Sequence, residues 1–397
     1  MNIAVFMIFI SLTVESLEED PMRLHPDVHL SIVELITKYG YAVEVHEVVT
    51  EDGYILTLFR IPHGKNDLVV NRKPLLLMHG LFGQAENFVI NKMNNGSLAY
   101  FLADNGFDVW MGNNRGTQHG LRHKLLDYRK KPFWNFSIHE LGIFDLSAII
   151  DYILKKTNKK RLFYAGHSQG GAIYFILASM KPQYQEKITL ALMLATGGFE
   201  KHFKHPLLSP MLHDHKSVQK LINNLNLFSI LPPYVQARDL VDSCATVLRN
   251  ICYIILSILG MQMEMEESDP AMVPLILEFY PSVSSQQIVH FAQIISTGHF
   301  RPFDYGEQKN MDLYGKSLPD DYPIENIKVP TAFFFSDTDR FASAKDNEEM
   351  CEVIQNCVFK HKLKKHQWSH FDIIFGKHIA DDLFGPFMEI ARKYDVE

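Results

Sequence analysis

The sequence lacks long runs of basic residues, and its overall charge is mildly acidic. Its 397 residues include 39 Lys and Arg against 46 Asp and Glu, a formal net charge of −7. Nucleic-acid-binding surfaces concentrate positive charge, so this balance argues against that class of protein. No internal repeat or low-complexity segment is visible. Because 47% of the residues are hydrophobic and 12% aromatic, the chain can bury a sizeable core, which excludes a disordered protein.

No apolar run reaches the roughly 20 residues that a membrane-spanning helix needs. The first run, residues 3–14, is followed by small and acidic residues. Its length is typical of the apolar part of a secretory signal peptide, so residues 1–16 are predicted to be one. The run 251–261 is also too short to cross a bilayer, and it predicts a buried or groove-lining helix.

Cysteine is scarce, with four residues at positions 244, 252, 351 and 357. Secretion would place them where disulfides form, and buried free thiols are the equal alternative. A bridge between Cys244 and Cys252 requires an interrupted helix, because eight helical residues rise about 12 Å and bridged Cα atoms lie within about 7 Å. Two Asn-x-Ser sequons, at Asn95 and Asn135, predict glycosylation and fit secretion.

Short apolar runs alternate with helical patterns from residue 73 onward, which is typical of a mostly parallel sheet covered by helices. The predicted strands are 74–78, 107–111, 162–165, 188–195 and 331–335, and the predicted helices are 97–105, 140–156, 168–180 and 345–355. Before them, 42–49 and 53–61 flank an Asp-Gly turn and predict an antiparallel hairpin.

The alternation stops between residues 199 and 328, where helical patterns dominate at 218–228, 239–263 and 284–296. An insertion of this length is a second domain or a cap. The predicted organisation is therefore an α/β core made of 17–198 and 329–397, with a helical cap at 199–328.

Residues 166–170, Gly-His-Ser-Gln-Gly, match the G-x-S-x-G pattern between a predicted strand and a predicted helix. In that context the pattern indicates a nucleophile elbow, in which small glycines allow a sharp turn that exposes the serine. Ser168 is then the candidate nucleophile, and the amide of Gln169 points toward a developing oxyanion. The amide of Leu81, after the strand-end sequence His79-Gly80, is the candidate second donor.

A serine nucleophile needs a base to remove its proton. In folds with a nucleophile elbow, the serine is followed along the chain first by the acid and then by the histidine. The loop after strand 331–335 offers two acids, Asp337 and Asp339. His370 is the best placed of the late histidines, which are His361, His366, His370 and His378. His361 alternates within a strand-like run and is interpreted as structural.

Neither histidine-rich segment predicts a metal site. His366 and His370 have the i, i+4 spacing of the zincin pattern, but Gln367 stands where that pattern needs glutamate. His202, His205, His213 and His215 lack the cysteine or carboxylate spacing of zinc sites and are interpreted as a solvated loop. No metal and no organic cofactor are expected.

These residues give the chain a resemblance to the acid lipases, the family that includes gastric lipase, lysosomal acid lipase and many insect lipases. The resemblance covers about residues 21–395. It rests on the segments 25–28, 40–41, 50–56, 60–62, 79–81, 98–104, 108–116, 166–170 and 369–372. The chain departs from the family at Gly171 and Ala172, which replace a Thr-rich helix start, and at Arg340 and Ser343 beside the acid.

The resemblance implies an α/β-hydrolase fold and assigns the roles: Ser168 nucleophile, Asp339 acid, His370 base, with Leu81 and Gln169 as oxyanion donors. Asp339 is preferred to Asp337 because residues 338–342 resemble the family's Asn-Asp-x-Leu-Ala segment. It also implies that part of the cap is a mobile lid over a lipid-binding cleft.

The predicted function is a secreted, alternatively lysosomal, serine lipase that hydrolyses esters of neutral lipids at an emulsion or membrane surface. Two alternatives stay open. One is an esterase for small soluble esters, which would show no increase in rate with emulsified substrate. The other is a lipid-binding protein that kept the fold without turnover.

Overall fold

The computed structural model describes residues 26–65, 71–91, 96–231, 241–242, 244, 252, 272–364 and 367–395. The predicted signal peptide at 1–16, the sequon residue Asn95 and His366 lie outside these residues. So does most of the predicted helix at 239–263.

A nine-stranded sheet organises the fold. Its strands are β1 (Glu44–Val49), β2 (Tyr54–Ile61), β3 (Lys73–Met78), β4 (Phe107–Met111), β5 (Arg122–His123), β6 (Leu162–His167), β7 (Ile188–Leu194), β10 (Thr331–Ser336) and β11 (Cys357–Leu363), while β8 (Ser229–Ile230) and β9 (Val283–Ser284) form a separate pair. The order is β1-β2-β4-β3-β6-β7-β10-β11, with β5 paired to β2. The strands from β4 through β3 to β11 are parallel, and β2 is antiparallel to both β1 and β4. The predicted hairpin and mostly parallel sheet are confirmed.

Helices cover both faces of this sheet, and others form the segment 199–328; the described helices of seven or more residues are numbered. They are α1 (Ile32–Lys38), α2 (Leu98–Asp104), α3 (Ser147–Thr157), α4 (Gln169–Met180), α5 (His215–Asn224), α6 (Met272–Glu278), α7 (Ser285–Thr297), α8 (Glu307–Tyr314), α9 (Ala344–Val353) and α10 (Gly385–Lys393). Strand β3 illustrates the layering: Leu75 and Leu77 join the core beneath α1, α2 and α10, whereas Leu76 and Met78 join the core beneath α3 and α4. Because side chains alternate across a strand, one buried strand supplies both cores.

The segment 199–328, which is predicted to be a cap, contains α5, α6, α7 and α8. Val218 and Ile222 of α5 pack against Val289 and Ala292 of α7 and form a small apolar cluster with Phe303. The predicted helix at 218–228 is shifted, since α5 runs from 215 to 224 and strand β8 follows. Asp214 explains the earlier start: its carboxylate accepts a hydrogen bond from the Ser217 amide at 3.1 Å and caps the helix.

Two disulfides are present, Cys244–Cys252 with Cα atoms 5.6 Å apart and Cys351–Cys357 with Cα atoms 5.3 Å apart. The alternative of free thiols is therefore wrong. The sequence left the second pair undetermined. The interrupted helix expected between Cys244 and Cys252 stays a prediction, because the residues between them lie outside the described part of the chain.

A buried arginine joins three separate segments of the core. Arg115, which follows β4, donates to Asp52 at the β1–β2 turn over 2.6 and 2.9 Å. Its other side pairs with Asp145, just before α3, at 2.6 Å. The guanidinium also stacks over the Tyr54 ring at 3.8 Å. The exposed fraction is 1% for the Arg115 side chain and 0% for Asp145, so this ion pair is almost completely shielded from water.

We expect Arg115→Met to lower the free energy of unfolding by about 3 to 5 kcal/mol, because it leaves the buried Asp145 carboxylate without a counterion. The measurement is urea unfolding of the full-length protein. Arg122→Met is the matched control, since the Arg122–Glu47 pair is 51% and 58% exposed and such surface pairs contribute about 0 to 1 kcal/mol. Equal losses in the two variants would contradict the prediction.

Candidate active site

Ser168 occupies the sharp turn between β6 and α4. Its φ of 52° lies in the left-handed region, which is costly for a side chain other than glycine. The turn is held in place because the Ser168 amide donates to the Leu194 carbonyl at 3.0 Å. Glycine is needed on both sides: a Cβ on Gly166 would lie 2.6 Å from the Gly170 carbonyl carbon, and one on Gly170 would lie 2.4 Å from the Met78 oxygen.

The structure brings the three predicted catalytic side chains together. His370 Nε2 lies 2.8 Å from Ser168 Oγ, and His370 Nδ1 lies 2.9 Å from Asp339 Oδ2. His370 and Asp339 are each 5% exposed. These residues come from three strand-end loops, those after β6 and β10 and the segment after β11, because parallel strands bring their carboxyl ends to one edge of the sheet. The arrangement is that of a serine nucleophile with an oriented base.

The geometry separates the two candidate acids. Asp339 Oδ1 accepts hydrogen bonds from the amides of Phe341 at 2.8 Å and Ala342 at 3.0 Å, so Oδ2 is fixed toward His370. Asp337 points away, with 66% of its side chain exposed, and pairs with Lys362 at 2.9 Å. Only Asp339 can therefore orient the His370 ring.

The predicted oxyanion donors are Leu81, which follows a glycine close to the nucleophile, and Gln169, which follows the nucleophile in the chain. A Cβ on Gly80 would stand 3.0 Å from Ser168 Cβ, so the backbone that leads into Leu81 is in direct contact with the elbow. Gln169 is the first residue of α4 and is 1% exposed. The amides at a helix N-terminus are directed outward and favour negative charge.

Gln287 links the cap to this site. Its Nε2 donates to Gln169 Oε1 at 2.9 Å, while its Oε1 accepts from the Ser284 amide at 3.0 Å at the start of α7. Both glutamine side chains are almost fully buried. Sequence reasoning missed Gln287, although the Ser284 to Gln287 spacing is that of a capping box, which predicts the helix start but no contact with the elbow.

Two further histidines next to the site are held neutral. Burial, followed by the charge of the neighbouring His370 imidazole, lowers the pKa of His167 to about 3. His167 Nε2 lies 3.1 Å from the His370 carbonyl oxygen. Burial likewise lowers the pKa of His79 to about 4. Because both stay neutral, neither adds positive charge that would compete for Asp339.

Glu200 is a buried carboxyl that the sequence did not indicate. A Cβ on Gly197 would lie 2.8 Å from Glu200 Oε1 and 3.9 Å from the Ser168 carbonyl carbon, so the side chain lies behind the elbow. Burial raises the pKa of Glu200 well above its usual range, and the nearby Asp346 and Asp339 carboxylates raise it further.

The remaining histidines lie elsewhere. His361 is in β11 with Nε2 3.1 Å from the Asp382 carbonyl oxygen, as its structural interpretation requires. His378 lies 3.7 Å from Asp381. The solvated-loop interpretation is wrong for His205, which is 3% exposed, and for His215, which begins α5.

Among the described residues, His202, Asp346 and Glu349 place possible ligand atoms within 4.8 Å of one another. Both Asp346 oxygens already accept hydrogen bonds, from the amides of Lys201 at 3.1 Å and His202 at 3.0 Å. The cluster is thus explained by hydrogen bonding at the start of α9.

We expect the buried His290 to make the protein less stable as the pH falls. Burial lowers its pKa from 6.5 to about 4, so the unfolded chain binds the proton first. Its contribution is complete above pH 6.5 and is lost as the pH falls toward 4. His290→Gln keeps a donor for the Arg301 carbonyl, which His290 Nε2 reaches at 2.8 Å.

Urea unfolding at neutral pH and at about pH 5 tests this expectation. The wild type should lose about 2 kcal/mol more than His290→Gln between the two conditions. An equal loss in both proteins would show that His290 does not titrate between the folded and unfolded states.

Comparisons with known proteins identify the fold. Residues 73–215 match the model of the alpha/beta hydrolase fold, and residues 32–92 match that of the partial alpha/beta-hydrolase lipase region. A solved structure from Sulfolobus solfataricus has the same fold, with a TM-score of 0.59 at 16% identity over 88% of this chain and 94% of its own. The fold is therefore that of an α/β hydrolase.

Two relatives of similar length show which family of α/β hydrolases the chain belongs to. Lipase 1 of Drosophila melanogaster is 36% identical over 94% of this chain and 82% of its own length. The tear acid lipase-like protein of Mesocricetus auratus is also 36% identical, over 90% of each chain. The chain belongs to the acid lipase family of α/β hydrolases. Within the described residues, no helix combines the length and apolarity that a membrane span requires.

Proposed function

We propose that this protein is a serine lipase that hydrolyses carboxylic ester bonds of neutral lipids through an acyl-enzyme. The observation that carries the proposal is the continuous path from Ser168 Oγ through the His370 ring to Asp339, with 2.8 and 2.9 Å separations, in a member of a lipase family. Cys, Lys or metal chemistry is not needed for an ester, since an activated hydroxyl suffices.

His370 takes the Ser168 proton through Nε2 as Oγ attacks the ester carbonyl carbon. Asp339 holds the proton on Nδ1, so that Nε2 is free to accept, and it stabilises the imidazolium that forms. The tetrahedral intermediate collapses, His370 protonates the departing alcohol, and the acyl group stays on Ser168. A water molecule then gives a proton to His370 as it attacks the acyl carbon and forms a second tetrahedral intermediate. When this intermediate collapses, the bond between Ser168 Oγ and the acyl carbon breaks, His370 returns the proton to Oγ, and the carboxylic acid leaves.

The oxyanion of each tetrahedral intermediate is assigned to the amides of Leu81 and Gln169. Each donor of this kind contributes about 2.7 to 4 kcal/mol to transition-state stabilisation. The Gln287 contact holds the first turn of α4 against the cap, so the Gln169 amide is positioned before substrate arrives. Such preorganisation avoids the cost of reorienting dipoles during the reaction.

The substrate is proposed to be a triacylglycerol or sterol ester at an emulsion or membrane surface, reached beneath the cap. Secretion is proposed from the apolar segment at 3–14 and from the sequon at Asn135, which is exposed. A lysosomal destination fits the same features.

The test is titration of fatty-acid release from a long-chain triacylglycerol emulsion and from a dissolved short-chain ester, from roughly pH 4 to 8. The proposal expects release from the emulsion, with a rise in rate once substrate exceeds its solubility. Hydrolysis of the dissolved ester alone would replace it with a soluble esterase. Inactivity on both substrates would leave a lipid-binding protein.

A further inference from the structure

A cavity lies at the edge of the cap, between α5, the start of α7, the loop before α8 and residues 131–135 of the core. Its volume is about 690 Å³, within the roughly 300 to 1,000 Å³ of small-molecule sites. Neither Ser168, Asp339 nor His370 lines it. We call it the cap cavity, and it is a space that ester hydrolysis as described above does not use.

The inner wall of the cap cavity is apolar. It is formed by Trp134, Ile222, Val289 and Phe303, which are between 1% and 8% exposed. Ile222 comes from α5 and Val289 from α7, so the wall is made where these helices pack together. A wall of this kind binds hydrocarbon, because water that covers it is released on binding.

The mouth of the cap cavity is cationic. Lys131, Lys216, Lys220 and Lys309 all line it and all are exposed. In the described part of the chain, no carboxylate lies within ion-pair distance of any of these four lysines. Lys309 Nζ instead lies 3.9 Å from the centre of the Tyr305 ring. Four like charges without a counterion among the described residues favour an anionic ligand.

Asp304 is the acidic residue among the lining residues described, and its carboxylate is already engaged. Its Oδ1 accepts hydrogen bonds from the Gly306 amide at 2.8 Å and from Asn310 Nδ2 at 2.7 Å. It holds its own loop in place and forms no ion pair with the four lysines. The described lining therefore carries four positive charges against one negative charge, and this excess favours an anionic ligand.

We propose that the cap cavity binds the anion of a long-chain fatty acid, with its chain against the apolar wall and its carboxylate among the lysines. A neutral ester would leave the lysines without a counterion, and an inorganic anion would leave the apolar wall in water. The choice of a fatty acid rests on the proposed function, because ester hydrolysis releases this product. The fit of an anionic amphiphile depends only on the cavity.

Photoaffinity labelling tests the proposal. The probe is a long-chain fatty acid bearing a diazirine, used on full-length Ser168→Ala so that no turnover occurs, with labelled peptides located by mass spectrometry. The label should map to peptides that contain α5 and α7. Adding Lys216→Glu with Lys220→Glu should reduce it at least about tenfold, because two charge-assisted contacts become repulsive.

Matched controls test whether labelling depends on the charge of the probe and on the position of the substituted lysines. Lys155→Glu with Lys156→Glu changes two exposed lysines on α3 and should leave the label unchanged. The corresponding diazirine alcohol, which has no charge, should label the cavity at least about tenfold less. Asn135→Gln removes the sequon residue that lines the cavity, so this variant cannot carry a glycan there. Its labelling should equal that of the parent protein, which would show that the probe does not react with a glycan at Asn135. Thermal unfolding of each variant verifies its fold.

Several results would overturn the proposal: equal labelling of the two double-lysine variants, equal labelling by the alcohol, or label confined to the Ser168 cleft. Binding to phosphatidylglycerol vesicles that depends on Lys216 and Lys220, with unchanged fatty-acid labelling, would assign these lysines to a membrane surface instead. Failure of the proposed function is distinguishable, because wild-type hydrolysis is measured separately. If the protein is inactive on esters but the fatty-acid probe still labels the cap cavity, the proposed function is wrong and the proposed anion site stands.

Discussion

Replacing Ser168 by alanine is expected to lower turnover of emulsified triacylglycerol by roughly 10⁴ to 10⁶, since no other group replaces Oγ as the nucleophile. The Ser168 backbone already adopts its strained turn in the folded protein, and alanine removes only the hydroxyl. Lipid binding should therefore be retained. The measurement is fatty-acid release by purified variant and wild type, together with partition of each protein onto the same emulsion.

A host esterase that copurifies could mimic residual activity, so a mock purification from cells that lack the gene is the control. Ser369→Ala provides a matched serine-to-alanine change outside the proposed proton path. It loses a hydroxyl that accepts from the Asp372 amide over 3.4 Å, and its turnover should stay within about tenfold of wild type. Full activity of Ser168→Ala would remove Ser168 from the mechanism.

Asp339→Asn is expected to reduce kcat by about 10⁴ with little change in fold. The asparagine Oδ1 can still accept from the Phe341 and Ala342 amides, which leaves its NH₂ group facing His370. His370 Nδ1 must then accept a hydrogen bond, so the proton moves to Nε2. In that tautomer the nitrogen that faces Ser168 can no longer take its proton.

Asp337→Asn is the matched control, two residues away. It weakens only the exposed pair with Lys362, a kind of contact that contributes about 0 to 1 kcal/mol to stability. Its kcat should equal that of the wild type. A large loss in Asp337→Asn, with activity kept in Asp339→Asn, would reverse the assignment of the acid.

The elbow and the sheet could be predicted because their signals are local. The G-x-S-x-G pattern, the apolar strand before it and the helix after it all lie within about twenty residues, and backbone sterics dictate the turn. Strand β10 and the loop after it were visible for the same reason. The helix α5 was misplaced by three residues, because Asp214 caps it before its apolar residues begin.

Other parts of the site depend on contacts between distant segments. The choice between Asp337 and Asp339 followed from a resemblance, and the physical reason became visible only with the amides of Phe341 and Ala342 in place. The contact between Gln287 and Gln169, which lie 118 positions apart, has no signature in the sequence. The raised pKa of Glu200 depends on burial beside Asp346 and Asp339, which composition cannot reveal.

The amino-acid sequence by itself therefore determined the α/β class and indicated Ser168 as the candidate nucleophile, because periodicity and glycine at a strand-to-helix turn are local properties. Tertiary structure alone decided which aspartate reaches His370, how the cysteines pair and where four lysines meet an apolar wall. Those outcomes depend on distances and burial between segments far apart in the chain, which take their values only once the core has packed.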